Sequence, residues 1–272
     1  MEWKGWVRGT RLCATALASL LLLTGSPSPA RAQQAAPDPA AFARPALWVV
    51  GDADTTIFLF GTIHTHDGRA HWFDHAVKRA FDSADTLVLE TIVPDKLPSV
   101  GAPPAGGLAA ARATVGEARK LGLSVELGAD QVLARAAGVV GKPVLGLESF
   151  AQQLDMYRSL PSPARPAATA GPAVTAAPPD PALAPFLQAM VDSWNRGDPS
   201  TIAAVVGEVR RQSPQAYQRL FVDRNAAWAQ WIERRLRQPG VVFVAVGTGH
   251  LVGDDSVQVR LAEAGIRSAR VN

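Results

Sequence analysis

Two apolar runs constrain this chain most, because each leads straight into the same short motif. Thr55 to Phe60 reads TTIFLF and continues into Gly61-Thr62-Ile63-His64. Val241 to Val246 reads VVFVAV and continues into Gly247-Thr248-Gly249-His250. Runs rich in β-branched and aromatic residues suit strands. Without alternating polar positions they suit strands buried on both faces, as in a parallel sheet covered by helices.

The rest of the chain fits that plan. Leu47 to Val50 is a strand before a turn at Gly51-Asp52-Ala53-Asp54. Thr86 to Leu89 and Pro143 to Leu147 are shorter apolar strands that end at Glu90 and Glu148, and Ile266 to Val271 makes the last one. Helical spacing is predicted over 70–83, with Trp72, Ala76, Val77 and Ala80 on one side. Further helices are predicted over 109–121, 129–138, 149–160, 182–195, 199–211, 214–237 and 254–264. Residues 94–107 read as loop. Strands alternating with helices predict an α/β fold: a mostly parallel central sheet flanked by helices, with a helical insertion.

The amino terminus has the layout of a secretory signal. Lys4, Arg8 and Arg11 precede an apolar run, Leu12 to Leu23, and Ala30-Arg31-Ala32 offers cleavage after Ala32. The run is shorter than the about 20 residues a membrane helix needs. The expected layout is a signal peptide at 1–32, a disordered lead-in at 33–46, and one domain over 47–272. A flexible Pro- and Ala-rich insertion at 161–181 interrupts that domain. The mature chain is then periplasmic or secreted, with no membrane contact; the alternative is a retained N-terminal anchor. Four of the 27 basic and one of the 24 acidic side chains fall in residues 1–32, so the remainder carries 23 of each. That balance gives no electrostatic footprint for nucleic acid. Cys13, the single cysteine, leaves with the signal. A metal site in the mature chain must therefore use His, Asp and Glu.

Five histidines are present, and His64 and His250 end the two best strands. Ligands of open α/β sheets sit beyond the carboxyl ends of the strands. Gly61 and Gly247 are expected to let the backbone turn sharply there, so that both imidazoles enter one crevice. Glu90 ends a third strand. Two imidazoles and a carboxylate form a recurrent divalent-cation site with open positions. Such an ion acidifies bound water and polarises a carbonyl. Glu90 is the candidate general base where it is not a ligand. Structural alternatives stand beside these: a strand-end His bonded to backbone, or a carboxylate capping a helix. For Glu148 the cap is the favoured reading, because Ser149 and a helix follow at once. His71 and His75, spaced i,i+4, read as solvated residues of one helical face, since no Glu follows His71 to make His-Glu-x-x-His. His66 is close enough to help at the site or line its mouth. No G-x-G-x-x-G spacing follows β-type residue 246, and no Gly-x-Ser-x-Gly elbow occurs.

Several longer stretches stand in order: LWVV, FLFGTIHTHDG, LVLE, GADQVLARAAGVVGKPVLGLESFAQQLDMYRSL, WNRGD, DRNAAWAQWI and VFVAVGTGHLVGDDSVQVRLAEAGIRSARV. Over Leu47 to Val271 this pattern resembles the TraB/GumN family, which includes relatives of the Tiki metalloproteases. The resemblance implies a fold related to the erythromycin-esterase and ChaN group. It implies a catalytic, metal-binding site from the two Gly-x-x-His motifs and an acidic residue, here His64, His250 and Glu90. The family's Arg-Asn pair falls on Arg224 and Asn225. Arg224 is expected to bind a substrate carboxylate or stabilise an oxyanion; the alternative is a structural salt bridge. Asp130 and Glu148 also match, while His66 stands where a small or apolar residue is common. Tiki-like members are described as Mn- or Co-dependent peptidases, so the expected cofactor is Mn, Co or Zn. The expected function is an exported, metal-dependent hydrolase of a peptide or other acyl bond, with a peptide or small molecule as substrate. The alternative is a non-catalytic periplasmic binding or regulatory protein that sequesters a peptide, a metal or haem.

Overall fold

Strands form wherever the apolar runs stand. β1 is Leu47–Gly51, β2 Thr55–Thr62, β3 Thr86–Leu89, β4 Val144–Gly146, β5 Gly240–Gly247 and β6 Ala269–Arg270. The computed structural model describes residues 43–94, 107–160 and 183–272. Its six strands make one sheet in the order β4-β3-β5-β2-β1-β6. β4, β3, β5 and β2 pair in parallel, and β1 alone runs against its neighbours β2 and β6. The predicted mostly parallel α/β sheet is therefore what this sequence builds.

Alternation within the strands sends apolar side chains to both faces. Phe60, Leu87, Phe243 and Ala245 enter one core, shared with most of the helices. Ile57, Leu59, Val88, Val242, Val244 and Val246 enter the other. Helices cover both: α1 His75–Ser83, α2 Gly107–Lys120, α3 Ala129–Val140, α4 Phe150–Ser159, α5 Leu183–Asn195, α6 Ser200–Gln212, α7 Pro214–Tyr217, α8 Asp223–Arg235 and α9 Val257–Glu263. Trp228 and Ile232 of α8, with Val257 and Leu261 of α9, close the second core. The run α4 to α8 stands between β4 and β5 as a helical insertion.

Three local expectations change. The helix predicted over 70–83 starts only at His75, whose φ of 41° breaks the helical path. Trp72 is buried without being helical, because it stacks on Phe60 (5.6 Å) and meets Trp194 edge-on (5.5 Å). His71 and His75 thus share no helical face, although both are exposed as expected. The helix predicted over 214–237 is interrupted by a π-helical turn, Gln218–Val222. The end of the lead-in is packed: Ala43 and Ala46 are buried, and Arg44 N–H donates to Asn195 O (2.7 Å). The signal at 1–32, the lead-in up to 42, most of the 94–107 loop and the 161–181 insertion lie outside the described residues. No described helix is long and apolar enough to cross a membrane.

Candidate active site

The parallel strands deliver their ends to one edge of the sheet. Glu148 follows β4, Glu90 follows β3, His250 follows β5 and His64 follows β2. Gly61 and Gly247 serve this differently from the expected sharp turn. Neither has a positive φ; what they provide is room. A Cβ on Gly61 would lie 2.8 Å from Thr248 Oγ1, and one on Gly247 would lie 3.0 Å from Glu90 Oε1 and 3.4 Å from His64 Nε2. Each glycine of one motif faces a residue of the other. Thr248 Oγ1 donates to Thr62 O (2.9 Å), and a 3-10 turn, Thr248–Leu251, carries His250 inward.

His250 is fixed on every side. Asn225 Nδ2 donates to Asp255 O (2.7 Å), which turns its Oδ1 toward the ring, and His250 Nδ1–H donates to that oxygen (2.6 Å). Phe221 and Trp228 pack on the imidazole, with ring centroids 5.2 and 4.4 Å away. Nε2 accepts from Arg224 Nη1 (3.0 Å). Burial and the neighbouring Arg224 cation push its pKa down to about 3, so the ring is neutral at neutral pH.

His64 is held more openly. Its Nδ1 donates to Asp130 Oδ1 (3.3 Å), and its side chain is 17% exposed against 6% for His250. Burial lowers its pKa, but the charge and hydrogen bond of Asp130 and the charge of Glu90 outweigh that and leave it raised. His64 is thus the imidazole a ligand reaches first.

Arg224 ties the carboxylates together. Nη2 donates to Glu90 Oε2 (2.7 Å) and Glu148 Oε1 (2.5 Å), and Nε donates to Glu148 Oε2 (3.1 Å). Nη1 donates to His250 Nε2 and to Leu220 O (3.3 Å). A guanidinium has five N–H groups, and all five are engaged. In this structure Arg224 makes the salt bridge, with every N–H engaged by the protein; a substrate carboxylate would have to replace one of these acceptors. Glu90 Oε1 accepts the Gly247 N–H (2.6 Å). Burial would raise the Glu90 pKa, but Arg224 and the other donors bring it down to about 2. In Glu148 burial wins and the pKa is raised. The expected cap role of Glu148 falls to Ser149, which makes a capping box with Gln152 and leaves Glu148 for Arg224.

Other placements were less visible in the sequence. The π-helical turn sets Phe221 against His250 and Leu220 O against Arg224. Asp130, in the first turn of α3, orients His64. His66 stands apart from the site: it is buried against Trp194, accepts the Gly68 N–H at Nδ1 (2.9 Å) and donates from Nε2 to Asn195 Oδ1 (3.1 Å). These contacts join the loop after β2 to α5, and His66 does not line the cavity that holds His64 and His250.

The donor chemistry suits a divalent cation. An acceptor at Nδ1 of each ring leaves Nε2 as a lone pair, the arrangement that orients ligating histidines. Yet Arg224 is bonded to Glu90 and to His250, so a cation would have to displace it from both, and among the described residues no group of three His, Asp or Glu side chains is already arranged to hold an ion.

A buried neutral His makes folding acid-sensitive. The unfolded chain takes up a proton near 6.5 that His250 refuses down to about 3, so stability falls as pH drops through that window. Glu90, depressed from 4.5 to about 2, adds a loss lower down. Urea unfolding is expected to show stability falling between pH 6.5 and 4, by up to about 1.4 kcal/mol per unit from His250. His250→Gln should flatten that slope. An unchanged slope would assign the acid sensitivity to another group.

Comparison with known proteins bears on these same residues. A sequence model of the TraB/PrgY/gumN family matches residues 46–102 and 101–270. Over 141 residues the chain is 33% identical to the uncharacterized protein YbaP of Escherichia coli (strain K12) and to its Shigella flexneri counterpart. That alignment covers 52% of this chain and 50% of each relative, so the chain spans about half the length of the curated relatives it matches. No solved structure matches. The family match runs from β1 to β6 and takes in every residue that builds the site, and the chain belongs to the TraB/PrgY/gumN family.

Proposed function

We propose that this chain is an exported hydrolase of a peptide or other acyl bond, with Mn, Co or Zn as its cofactor. One observation carries the reading: two imidazoles, each held at Nδ1 by an oxygen, share the floor of one cavity with an ionised carboxylate. His64, Glu90 and His250 would hold the cation. When bound, it supplies an acidified water and a polarised acyl oxygen. Asp130 and Asn225 keep a proton on each Nδ1. Arg224 keeps Glu90 ionised. The low-dielectric walls strengthen every charge interaction at the floor.

The test starts from cells expressing the full chain. Protein recovered from the extracytoplasmic fraction, beginning at Gln33, is the expected product. Bound metal is then measured by mass spectrometry after equilibration with each cation, alongside His250→Ala. Near-stoichiometric metal, lost in the variant at unchanged circular dichroism, is expected. Metal retained in the variant would remove His250 from the site. No metal under any condition would end the metal-dependent reading.

One observation favours the binding or regulatory reading instead. Arg224 already matches the charge of Glu90 and occupies Nε2 of His250, so the floor is complete without a guest cation. Ligand binding with no peptide or ester turnover in any metal would select it.

A further inference from the structure

We infer that the group this site takes up beside the reacting bond is uncharged and apolar: a hydrocarbon acyl chain or side chain. The inference rests on the hydrolase reading for calling that ligand a substrate. The cavity with His64, Glu90, Arg224 and His250 at its floor has an apolar wall. Leu187, Met190 and Val191 of α5, Ile202 of α6, and Leu220 and Phe221 of the π-helical turn build it. All six belong to the main core, so core packing fixes the wall before any ligand arrives.

Charge at the floor points the same way. Arg224 has no free N–H to offer an anion, and Glu90 repels one. A cation gains little from Glu90, because Arg224 already pairs it. Polar groups of a ligand laid against the six apolar side chains would lose their hydration without a replacement. Each methylene buried there should instead gain about fourfold in affinity.

Hydrogen-bonding partners for the polar remainder of the ligand stand where the first cavity meets a second. A second cavity shares Thr62, His64 and Glu90 with the first and continues beside Asp130 and Gln131. Thr62 and Thr91 line it, and both have buried hydroxyls without hydrogen-bond partners. Thr62 borders both cavities, so these hydroxyls stand at their junction, where a ligand's hydrogen-bonding groups would meet partners while its hydrocarbon lies against the apolar wall of the first cavity.

Titration calorimetry of the full chain with straight-chain primary amides, propanamide to octanamide, tests this without turnover. Kd is expected to fall about fourfold per added methylene until the cavity is filled, and octanamide should bind more tightly than octanoate or octylammonium. Met190→Trp, checked for fold by circular dichroism, should end the rise at a shorter chain. Affinity indifferent to chain length in the wild type, or octanoate binding more tightly than octanamide, would overturn the inference. Chain-length-dependent binding with no ester or peptide cleaved under any metal would keep the apolar cavity and sink the hydrolase. Ester cleavage at rates indifferent to acyl length would do the reverse.

Discussion

Replacing Arg224 by Met is expected to cost about 3–5 kcal/mol of folding stability at neutral pH, the usual cost of removing one partner from a buried ion pair. The substitution keeps an apolar stem against Trp228, over which the guanidinium now lies at 4.6 Å. It leaves Glu90 and Glu148 facing each other with no cation between them and takes a donor from His250. Arg224→Lys should recover only part of the loss, since one ammonium cannot reproduce the planar fork that meets both carboxylates. Urea denaturation at pH 7 measures both. Repeating it at pH 4 should shrink the Arg224→Met deficit, because the stranded carboxylates can then take up protons. A deficit under about 1 kcal/mol at pH 7 would place the pair in the range of surface ion pairs, with water reaching both acids.

Gly128→Ala is expected to cost about 2–3 kcal/mol although it adds one methyl group to an ordinary φ of −57°. The new Cβ would lie 2.7 Å from the carbonyl carbon of His64 and 2.9 Å from Val125 O. Both neighbours are backbone, so no side chain can swing aside. Gly128 leads into α3, whose Ala129 N–H donates to Ile63 O (2.8 Å) and whose Asp130 holds His64. Relieving the overlap must therefore part the β2 loop from α3 and stretch the His64–Asp130 bond. Thermal unfolding would report the loss, and the His64 ring resonances would report the displacement. An unchanged melting temperature with unmoved resonances would mean that the loop absorbs the methyl.

The sheet and half of the site are legible in the sequence for the same reason. A strand buried on both faces leaves a continuous apolar run, and a His or Glu within the few residues after such a run marks where a site can lie. His64, Glu90 and His250 are found that way. Arg224 is different: it pairs with residues 134 and 76 positions away, and no local pattern encodes that meeting. Glu148 reads as a cap because a helix follows, but Ser149 is one residue closer and takes the position. Gly61 and Gly247 read as turn glycines, whereas their missing side chains matter to a neighbour that only tertiary structure supplies. Trp72 fits a helical stripe by spacing, yet stacking on Phe60 and an edge-on contact with Trp194 are what bury it.

The place of β5 has a consequence for how the chain reaches this state. It lies between β3 and β2, but most of the chain is made before it; Thr62 and Thr248, bonded across the two motifs, stand 186 positions apart. Such distant pairing makes for slow folding. Until Gly240–Gly247 arrives, β2 and β3 lack the strand that joins them, and each presents an apolar edge ready to pair with a foreign strand. A chain cut short before Gly240 would be a template for aggregation, and anything that holds the growing chain apart until that strand is made protects the sheet and the site at once.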